Sequence, residues 1–397
     1  MSMISHNSGV VRTVTLYCTR LARGFQFFTP SHHEVADMVA VGLTRCKDRS
    51  RTPCRLANQK EVCYSNAVLQ CFAELIDPSY LGSKLGITHL QNHGTLRTRL
   101  DVTSAPHVDK HVQEIDLRHI NPAADFIHIV KLMQKGPAGV VHPYYFQAIL
   151  AAKGGENGKE FASGEGAYPY CWFRFTLNSL CEGASFNGHS GIASHPVIDK
   201  LCKVRSAFAN VCDACLHGEL QEDVPDATDW GLRLDPKGTP LSSPKQSPVT
   251  VRELLNAHRK CTGAKRERCV KCGKTTGKYC IWKGLVKAPE ILPIEIKTYE
   301  RELSADKKTR YKFFFSDIIL NRRIYVPNVG RKHTTRYELQ AVVKLEGKGH
   351  EHAVVFVRSG EHRWWKCSDE DITCSTWEAA QRTHGEEQVS LVFYRKV

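Results

Sequence analysis

Residues 58–72 read NQKEVCYSNAVLQCF and place one cysteine, Cys63, directly before a run with helical periodicity. From residue 65 apolar side chains recur at steps of three and four, which predicts an amphipathic helix that stops at Asp77 because Pro78 follows. At a helix N-terminus, unpaired N–H groups and the positive dipole end lower a thiol pKa and can stabilise an oxyanion. Cys63 is therefore a candidate nucleophile. The competing interpretation is a small buried apolar side chain.

The bulk composition indicates a globular intracellular protein. The chain has 397 residues, of which 42% are apolar, and no stretch approaches eighteen uncharged apolar residues, so we expect no membrane span. Sixteen cysteines without a secretory signal favour a reducing compartment, cytoplasm or nucleus. Residues 1–48, acid-free up to Glu34, are interpreted as a flexible leader with a weak likeness to a mitochondrial transit segment.

The pattern changes from helices to strands along the chain. Residues 123–151 predict two helices broken at Gly136-Pro137, residues 154–158 predict a loop, and Pro169 suits the first turn of a helix running to Leu180. From about residue 205 short apolar runs separated by turn residues predict strands, with one short helix at 251–258. The predicted strands are 232–234, 291–296, 313–315, 324–326, 337–345, 353–357 and 389–394.

Two Cys-x-x-Cys pairs lie in the strand-rich middle of the chain. They supply four thiolates, the tetrahedral set that a structural zinc ion prefers. The proposed ligands are Cys212, Cys215, Cys269 and Cys272, with Cys261 and Cys280 as substitutes. Their separation is too long for a compact zinc ribbon, so the fold has to bring the two pairs together.

A basic cluster surrounds the second pair, between Lys265 and Lys283, and the whole chain carries a net charge of +14. Such a cluster at a zinc site can bind phosphates, which gives one alternative function, a zinc-dependent nucleic-acid binder. More often a run of this kind is a solvated hairpin face, and such an excess of charge keeps many proteins soluble. We therefore expect no nucleic-acid partner.

A nucleophilic cysteine requires a base and a group that orients the base. The richest candidate segment begins with His350 and His352 and continues, across a hairpin turn at Ser359-Gly360, to Ser368 and Asp369. A histidine at the start of one strand and a hydroxyl or carboxylate on its neighbour can meet side by side, as a Cys-His-Asx or Cys-His-Ser relay requires.

Over residues 50–397 the order and spacing of these features resemble the ubiquitin-specific proteases. Residues 56–70 match their cysteine box, L-x-N-x-x-x-x-C-Y-x-N-x-x-L-Q, and the segment from Tyr337 to Asp369 resembles their histidine box. The two Cys-x-x-Cys pairs look like the tips of their zinc-holding fingers. Residues 288–292 and 389–394 resemble the strand after the fingers and the closing strand.

The resemblance implies an α+β fold of the papain-like cysteine protease superfamily with thumb, palm and fingers. A catalytic domain would span residues 49–397, with a helical thumb at about 49–200, zinc-tied fingers at about 205–290 and a β-rich palm at about 291–397. The implied activity is a cysteine isopeptidase that cleaves after the C-terminal Gly of ubiquitin or a ubiquitin-like modifier. The implied partners are ubiquitin conjugates. The resemblance also implies one structural zinc ion and no catalytic cofactor, and we expect a monomer.

The resemblance also assigns roles to residues. Cys63 matches the nucleophile, and Asn58 matches the side chain that donates to the oxyanion. His352 matches the base, with His350 as the alternative. The orienting group is Ser368 if the positions of the histidine box are counted from Trp364, and Asp369 if they are counted from Trp365.

Several departures from the family pattern favour a second interpretation, a catalytically impaired ubiquitin-binding scaffold. The usual G-N-T before the cysteine is replaced by Lys60-Glu61-Val62, which puts a carboxylate near the thiol. Gly166 stands where the family has an acid that holds the basic tail of ubiquitin. The tyrosine next to the family's histidine is replaced by Ala353 or Glu351, depending on register.

Overall fold

The computed structural model describes most of the chain beyond the predicted leader. The described residues are 52–59, 61–87, 105–114, 116–135, 140–162, 167–184, 194–212, 215, 218–220, 227–236, 248–266, 268–274, 278–303, 309–313, 317–328, 334–347, 351–383 and 387–397, for some of them the backbone alone. The leader, Lys60, Gly166 and His350 lie outside them. All described residues fall in one compact unit, Thr44–Val397. None of the helices described there is long and apolar enough to cross a membrane.

Helices dominate the first half of the described chain. They are α1 Cys63–Leu75, α2 Pro78–Lys84, α3 Ala105–Glu114, α4 Pro122–Gln134, α5 Tyr144–Lys153, α6 Lys159–Ala162, α7 Pro169–Ala184 and α8 Pro196–Cys202, followed later by α9 Val251–Arg259 and α10 Trp377–Gln381. The helix predicted after Cys63 ends at Leu75, two residues early, because Asp77 caps the next helix by accepting from the N–H groups of Ser79 and Tyr80.

Helix α1 is buried nearly all round, although its sequence predicts an amphipathic helix. Of its residues only Glu74 is not buried. Phe72 explains part of this, since its ring packs edge-on against Phe126 of α4 at 5.1 Å and stacks on Phe173 of α7 at 5.6 Å. A helix covered on several sides needs apolar or hydrogen-bonded residues on every face. Its polar residues are accordingly tied into buried hydrogen bonds.

Two short strands lie in the helical part, and strands dominate from Val204 onward. They are β1 Arg55–Leu56, β2 Val140–Val141, β3 Val204–Cys212, β4 Gly218–Leu220, β5 Ala227–Asp229, β6 Leu232–Leu234, β7 Val249–Thr250, β8 Lys260–Arg266, β9 Lys278–Lys287, β10 Ile291–Ile296, β11 Tyr299–Leu303, β12 Thr309–Phe313, β13 Ile318–Ile319, β14 Arg323–Pro327, β15 Thr334–Glu346, β16 His352–Ser359, β17 Arg363–Ser368, β18 Asp371–Ser375 and β19 Gln388–Lys396. Strand β12 reaches Phe313, the first residue of the strand predicted at 313–315, and residues 314 and 315 lie outside the described residues.

The large sheet has the order β18-β17-β16-β15-β19-β10-β6, with β14 beside β15. Its pairs are antiparallel except β6 with β10. Residues of β15 enter two different hydrophobic cores, Ala341 and Val343 on the side of α1, and Leu339 and Val342 on the side of α9 and α10. The simple alternation is interrupted by a register shift between Leu339 and Ala341. Both faces of this sheet are thus covered, which explains the continuous apolar run in β16.

The fingers sheet is the second large group of strands, in the order β4-β3-β9-β8 with β5 on β3. Helices, a large sheet and a smaller cysteine-bearing sheet together form the α+β architecture that the resemblance implied.

The loop predicted at residues 154–158 is instead a 3-10 turn, Gly155–Gly158, followed at once by α6. Gly158 makes this connection possible, because a Cβ at that position would collide with the backbone carbonyl of Ala151. Close backbone approach therefore decides this segment, and composition alone predicted a loop.

Candidate active site and metal centre

Cys63 is the first residue of α1 and faces the start of β16. Its sulfur accepts a hydrogen bond from the N–H of Ala353 at 3.4 Å, and its S–H donates to the carbonyl of Glu351 at 3.7 Å. The residue is only 5% exposed. The candidate nucleophile and the candidate base, distant in sequence, are thus brought together because α1 packs against β16.

The thiol of Cys63 has a raised pKa, which corrects the expectation of a lowered one. Burial is the largest cause, and the charge of Asp369 raises the pKa further. Backbone N–H groups, foremost that of Ala353, act in the opposite direction. The helix terminus does favour the thiolate, but the loss of water around the sulfur outweighs it.

His352 lies at the first position of β16 and meets Ser368 at the last position of β17. Because Val355 pairs with Cys367, Ser368 falls opposite Val354, two residues from His352 and on the same face. His352 Nε2 and Ser368 Oγ are 2.8 Å apart. The predicted meeting of a histidine and a hydroxyl across this hairpin is therefore present.

Asp369 lies on the other side of the same imidazole. Its Oδ2 is 4.0 Å from His352 Nδ1, and its side chain is 10% exposed. Ser368 and Asp369 thus do not compete for one place, since each faces a different ring nitrogen. No hydrogen bond joins the Cys63 sulfur to the His352 ring, both of which belong to the described part of the chain.

Asp369 is held by groups from the cysteine segment. Asn66 Nδ2 donates to its Oδ1 at 2.8 Å, and the N–H of Leu56 donates to its backbone carbonyl at 3.1 Å. Burial raises the pKa of the Asp369 carboxyl, while the hydrogen bond from Asn66, the charge of His352 and a hydrogen bond from Asn58 lower it. Its backbone is left-handed, with φ +53°, a conformation that aspartate tolerates better than most residues.

Asn58, the predicted oxyanion donor, has both ends of its side chain engaged. Its Oδ1 accepts from the N–H of Val62 at 2.9 Å, which fixes the loop before the nucleophile. Its amide group also hydrogen-bonds to Asp369. The side chain is therefore beside the reacting groups, and its role toward an oxyanion stays a prediction.

Asn66 and Gln147 belong to this site although the sequence assigned them no role. Asn66 appears in the cysteine box, and its amide contacts Asp369 directly. Gln147 lies on α5 and donates to Ser65 Oγ and, at 3.4 Å, to Asn66 Oδ1. No motif marks Gln147, because its contact depends on how α5 packs beside the cysteine segment.

The four proposed zinc ligands converge at the end of the fingers sheet. The sulfur atoms of Cys212, Cys215, Cys269 and Cys272 all lie within 4.8 Å of one another. Two of the separations are 3.9 Å, for Cys212 and Cys272, and 3.6 Å, for Cys215 and Cys269. A tetrahedron with zinc–sulfur bonds of about 2.3 Å has edges of about 3.8 Å, so the donor set fits zinc.

A tight backbone turn shapes the second Cys-x-x-Cys pair. The N–H of Gly273 donates to the carbonyl of Cys269 at 2.8 Å, and Gly273 has φ +66°. Cys261 and Cys280, the substitutes considered above, lie within the β8–β9–β3 ladder, paired with Ile281 and Val211, and their side chains are not described.

Comparison with known proteins places this geometry in a family. The sequence model described as ubiquitin carboxyl-terminal hydrolase matches residues 54–394. No curated protein sequence matches the chain.

Solved structures are similar in fold. One is the SAGA Ubp8/Sgf11/Sus1/Sgf73 DUB module bound to ubiquitin aldehyde, with TM-score 0.54 and 15% identity over 86% of this chain and 69% of that chain. A second is a SAGA DUB module bound to monoubiquitin, with TM-score 0.53 and 15% identity over 93% of this chain and 76% of that chain. The family model covers most of the chain, both the cysteine segment and the β16–β17 hairpin included. The chain therefore belongs to the ubiquitin carboxyl-terminal hydrolase family.

Proposed function

We propose that this protein is a thiol-dependent deubiquitinase that hydrolyses the bond after the C-terminal Gly of ubiquitin or a ubiquitin-like modifier. One observation carries the proposal: Cys63, at the start of α1, lies against the strand whose first residue, His352, has its Nε2 on Ser368 at 2.8 Å. Family membership supports it, as do similar folds whose printed descriptions name bound ubiquitin.

In this reaction His352 accepts the thiol proton at Nδ1, because Nε2 is held by Ser368. The Cys63 thiolate attacks the carbonyl carbon of the substrate's terminal glycine. Backbone N–H groups at the start of α1 and the Asn58 amide stabilise the resulting oxyanion. The imidazolium returns its proton to the leaving amine as the C–N bond breaks, and water activated by His352 then hydrolyses the thioester.

These reaction steps require a small rearrangement of the site before the thiol proton is transferred. The sulfur is hydrogen-bonded to the backbone on both sides of His352, at Glu351 and Ala353. For proton transfer the imidazole has to replace one of those contacts. Loose geometry of this kind is common in sites without substrate and tightens in the complex.

The serine makes the proposed triad electrostatically weaker than one with a carboxylate. Its hydroxyl fixes the imidazole tautomer but carries no charge to stabilise imidazolium. Asp369, 4.0 Å from the other ring nitrogen, supplies the nearby negative charge. We propose that Ser368 orients the ring and that Asp369 stabilises its charged form.

Zinc has a structural role in this proposal. Cys212, Cys215, Cys269 and Cys272 would hold one ion and tie β3 to the hairpin between β8 and β9. A fully coordinated tetrathiolate zinc leaves no open position for substrate, so it takes no part in the reaction. Such thiolates persist in a reducing compartment, which supports an intracellular location.

A second candidate, a ubiquitin-binding scaffold without turnover, is favoured by the state of the thiol. Cys63 is buried, its pKa is raised, and its hydrogen-bond partners are backbone groups. If the Cys63 thiol stays protonated in the complex, the protein binds ubiquitin but does not cleave the bond after its C-terminal Gly.

Hydrolysis of a fluorogenic amide at the ubiquitin C-terminus separates the two candidates. We expect turnover by the wild type, none by Cys63→Ala, and a loss of at least about a hundredfold in kcat for His352→Ala. The matched control is Cys374→Ser, because Cys374 is an exposed thiol on β18 away from the site. Micromolar ubiquitin binding without turnover would contradict the deubiquitinase and favour the ubiquitin-binding scaffold.

A further inference from the structure

A chain of buried amides leads from α5 to the proposed site. Gln147 is 3% exposed and lies on α5, which contributes none of the groups described so far as reactive. Its Nε2 donates to Ser65 Oγ and to Asn66 Oδ1. Ser65 and Asn66 are the second and third residues after Cys63, and both are buried. Gln147 thus supplies donors to the segment that carries the nucleophile.

Asn66 connects Gln147 to Asp369, and its side-chain amide has one fixed orientation. Its Oδ1 accepts from Gln147, while its Nδ2 donates to Asp369 Oδ1 at 2.8 Å and to the carbonyl of Ala57 at 3.2 Å. An inverted amide would turn its oxygen toward the Asp369 carboxylate, which is repulsive. The donor on Gln147 therefore holds the amide in the orientation that Asp369 needs.

Asp369 transmits the constraint to the reacting groups. Its carboxylate is 4.0 Å from His352 Nδ1, it receives a hydrogen bond from Asn58, and its charge acts on the Cys63 thiol. Small displacements of this carboxylate thus change the surroundings of the proposed base, oxyanion donor and nucleophile together.

We propose that Gln147 is a positioning residue, which acts through Asn66 to hold Asp369 between His352 and Asn58. The inference rests on the proposed function for its kinetic consequence, but the hydrogen-bond relay itself does not. Removal of the Gln147 donors leaves the buried oxygens of Ser65 and Asn66 without them, so the Asn66 side chain shifts toward another donor and Asp369, which is bonded to its Nδ2, moves with it.

The test variant is Gln147→Met, which keeps the length and volume of the side chain but removes its amide. We expect kcat for the ubiquitin amide to fall by about tenfold, as misplacement of a supporting group does, with KM unchanged. The matched control is Gln134→Met. Gln134 Nε2 also donates to α1, but at its far end, to the carbonyls of Ala73 and Ile76. That variant should lose stability and keep its kcat.

A double variant separates positioning from general loosening of the fold. In an Asp369→Asn background the Gln147→Met change should cost less than about twofold, because the relay ends on the carboxylate. Independent, multiplied effects of the two changes would overturn the proposal. So would a rise in KM with kcat intact.

A measurement without catalysis keeps the inference separate from the proposed function. The side-chain amide protons of Asn66 should exchange slowly in the wild type, and NMR should show them shifted and faster in Gln147→Met but not in Gln134→Met. If the wild type proves inert toward ubiquitin, the proposed function fails while this experiment still decides the relay. Unchanged Asn66 amide signals in Gln147→Met would overturn it.

Discussion

At the scale of single residues, the Cys63 thiol is governed by two opposed effects. The N-terminus of α1 supplies N–H groups and the positive end of the helix dipole, which favour the thiolate. Burial and the carboxylate of Asp369 favour the neutral thiol. Burial is the larger effect, so the resting thiol is protonated near neutral pH. The proposed reaction therefore requires that the imidazole or substrate binding activates this thiol.

The charge on Asp369 gives a prediction with a definite sign. Because this carboxylate raises the pKa of the Cys63 thiol, Asp369→Asn should lower that pKa. The rate of Cys63 alkylation by iodoacetamide, followed by mass spectrometry of its peptide, should then reach half-maximum at a lower pH than in the wild type. A midpoint that stays or rises would contradict this electrostatic account. Glu370→Gln, an exposed neighbour, is the control.

Glu61 gives a second prediction at this scale. It is exposed and has φ +55°, a left-handed conformation that costs a residue with a side chain about 1 kcal/mol. Glu61→Gly should raise the free energy of unfolding by about 0.5–1 kcal/mol in urea titrations. The control Glu370→Gly, whose φ is not positive, should instead lower it slightly. A loss of stability for Glu61→Gly would show that the loop is not strained.

At the scale of elements, α1 is fixed at both ends by distant parts of the chain. Its first turn lies against β16, and its last carbonyls accept from Gln134 of α4 and from Arg395 of β19, the latter at 2.9 Å to Leu75. A cation at the carboxyl end of a helix also complements the dipole. Periodicity predicted the helix itself, but these partners, up to 320 residues away in sequence, follow only from the tertiary fold.

Helix α4 carries a partly buried acid, Asp125, that makes stability depend on pH. Burial raises the pKa of Asp125 to about 7, partly offset by Lys153, and its Oδ2 is buried without a hydrogen-bond partner. Between the ordinary value of 3.8 and about 7, the folded state keeps a proton that the unfolded state has lost. Stability therefore falls as pH rises through this window and does not recover above it.

Asp125→Asn should remove this dependence. We expect the variant to be more stable than the wild type by about 1–3 kcal/mol above pH 7, with the difference shrinking toward pH 4. Chemical denaturation at several pH values measures it, and Asp371→Asn, an exposed aspartate, is the control. A variant that is equally destabilised at all pH values would show that the carboxylate has a partner after all.

At the scale of the whole molecule, local patterns predicted the elements and the contacts between neighbouring strands. The meeting of His352 with Ser368 needed only the register of one hairpin, and the Cys-x-x-Cys pairs needed only a sheet that joins them. Other features depend on packing between distant elements. The all-round burial of α1, the raised pKa of Cys63 and the contact from Gln147 have no local signal, because each arises where another element covers the cysteine segment.

The metal centre is tested by zinc content. We expect about one zinc per chain by elemental analysis, released by a strong chelator or by Cys215→Ser, with a lower melting temperature in both cases. Cys374→Ser, which removes an exposed thiol outside the cluster, should keep both zinc and melting temperature. A chain without bound zinc and insensitive to chelation would contradict the tetrathiolate site.

In the proposed function, Cys63 is a nucleophile toward a carbonyl at the ubiquitin C-terminus. The most direct measurement is reaction of the folded protein with an electrophilic ubiquitin C-terminal probe, with the modified residue located by peptide mass spectrometry. We expect a single adduct on Cys63, lost in Cys63→Ala, strongly slowed in His352→Ala and unchanged in Cys374→Ser. A folded protein that binds ubiquitin but never reacts at Cys63, or that reacts equally well without His352, would contradict it.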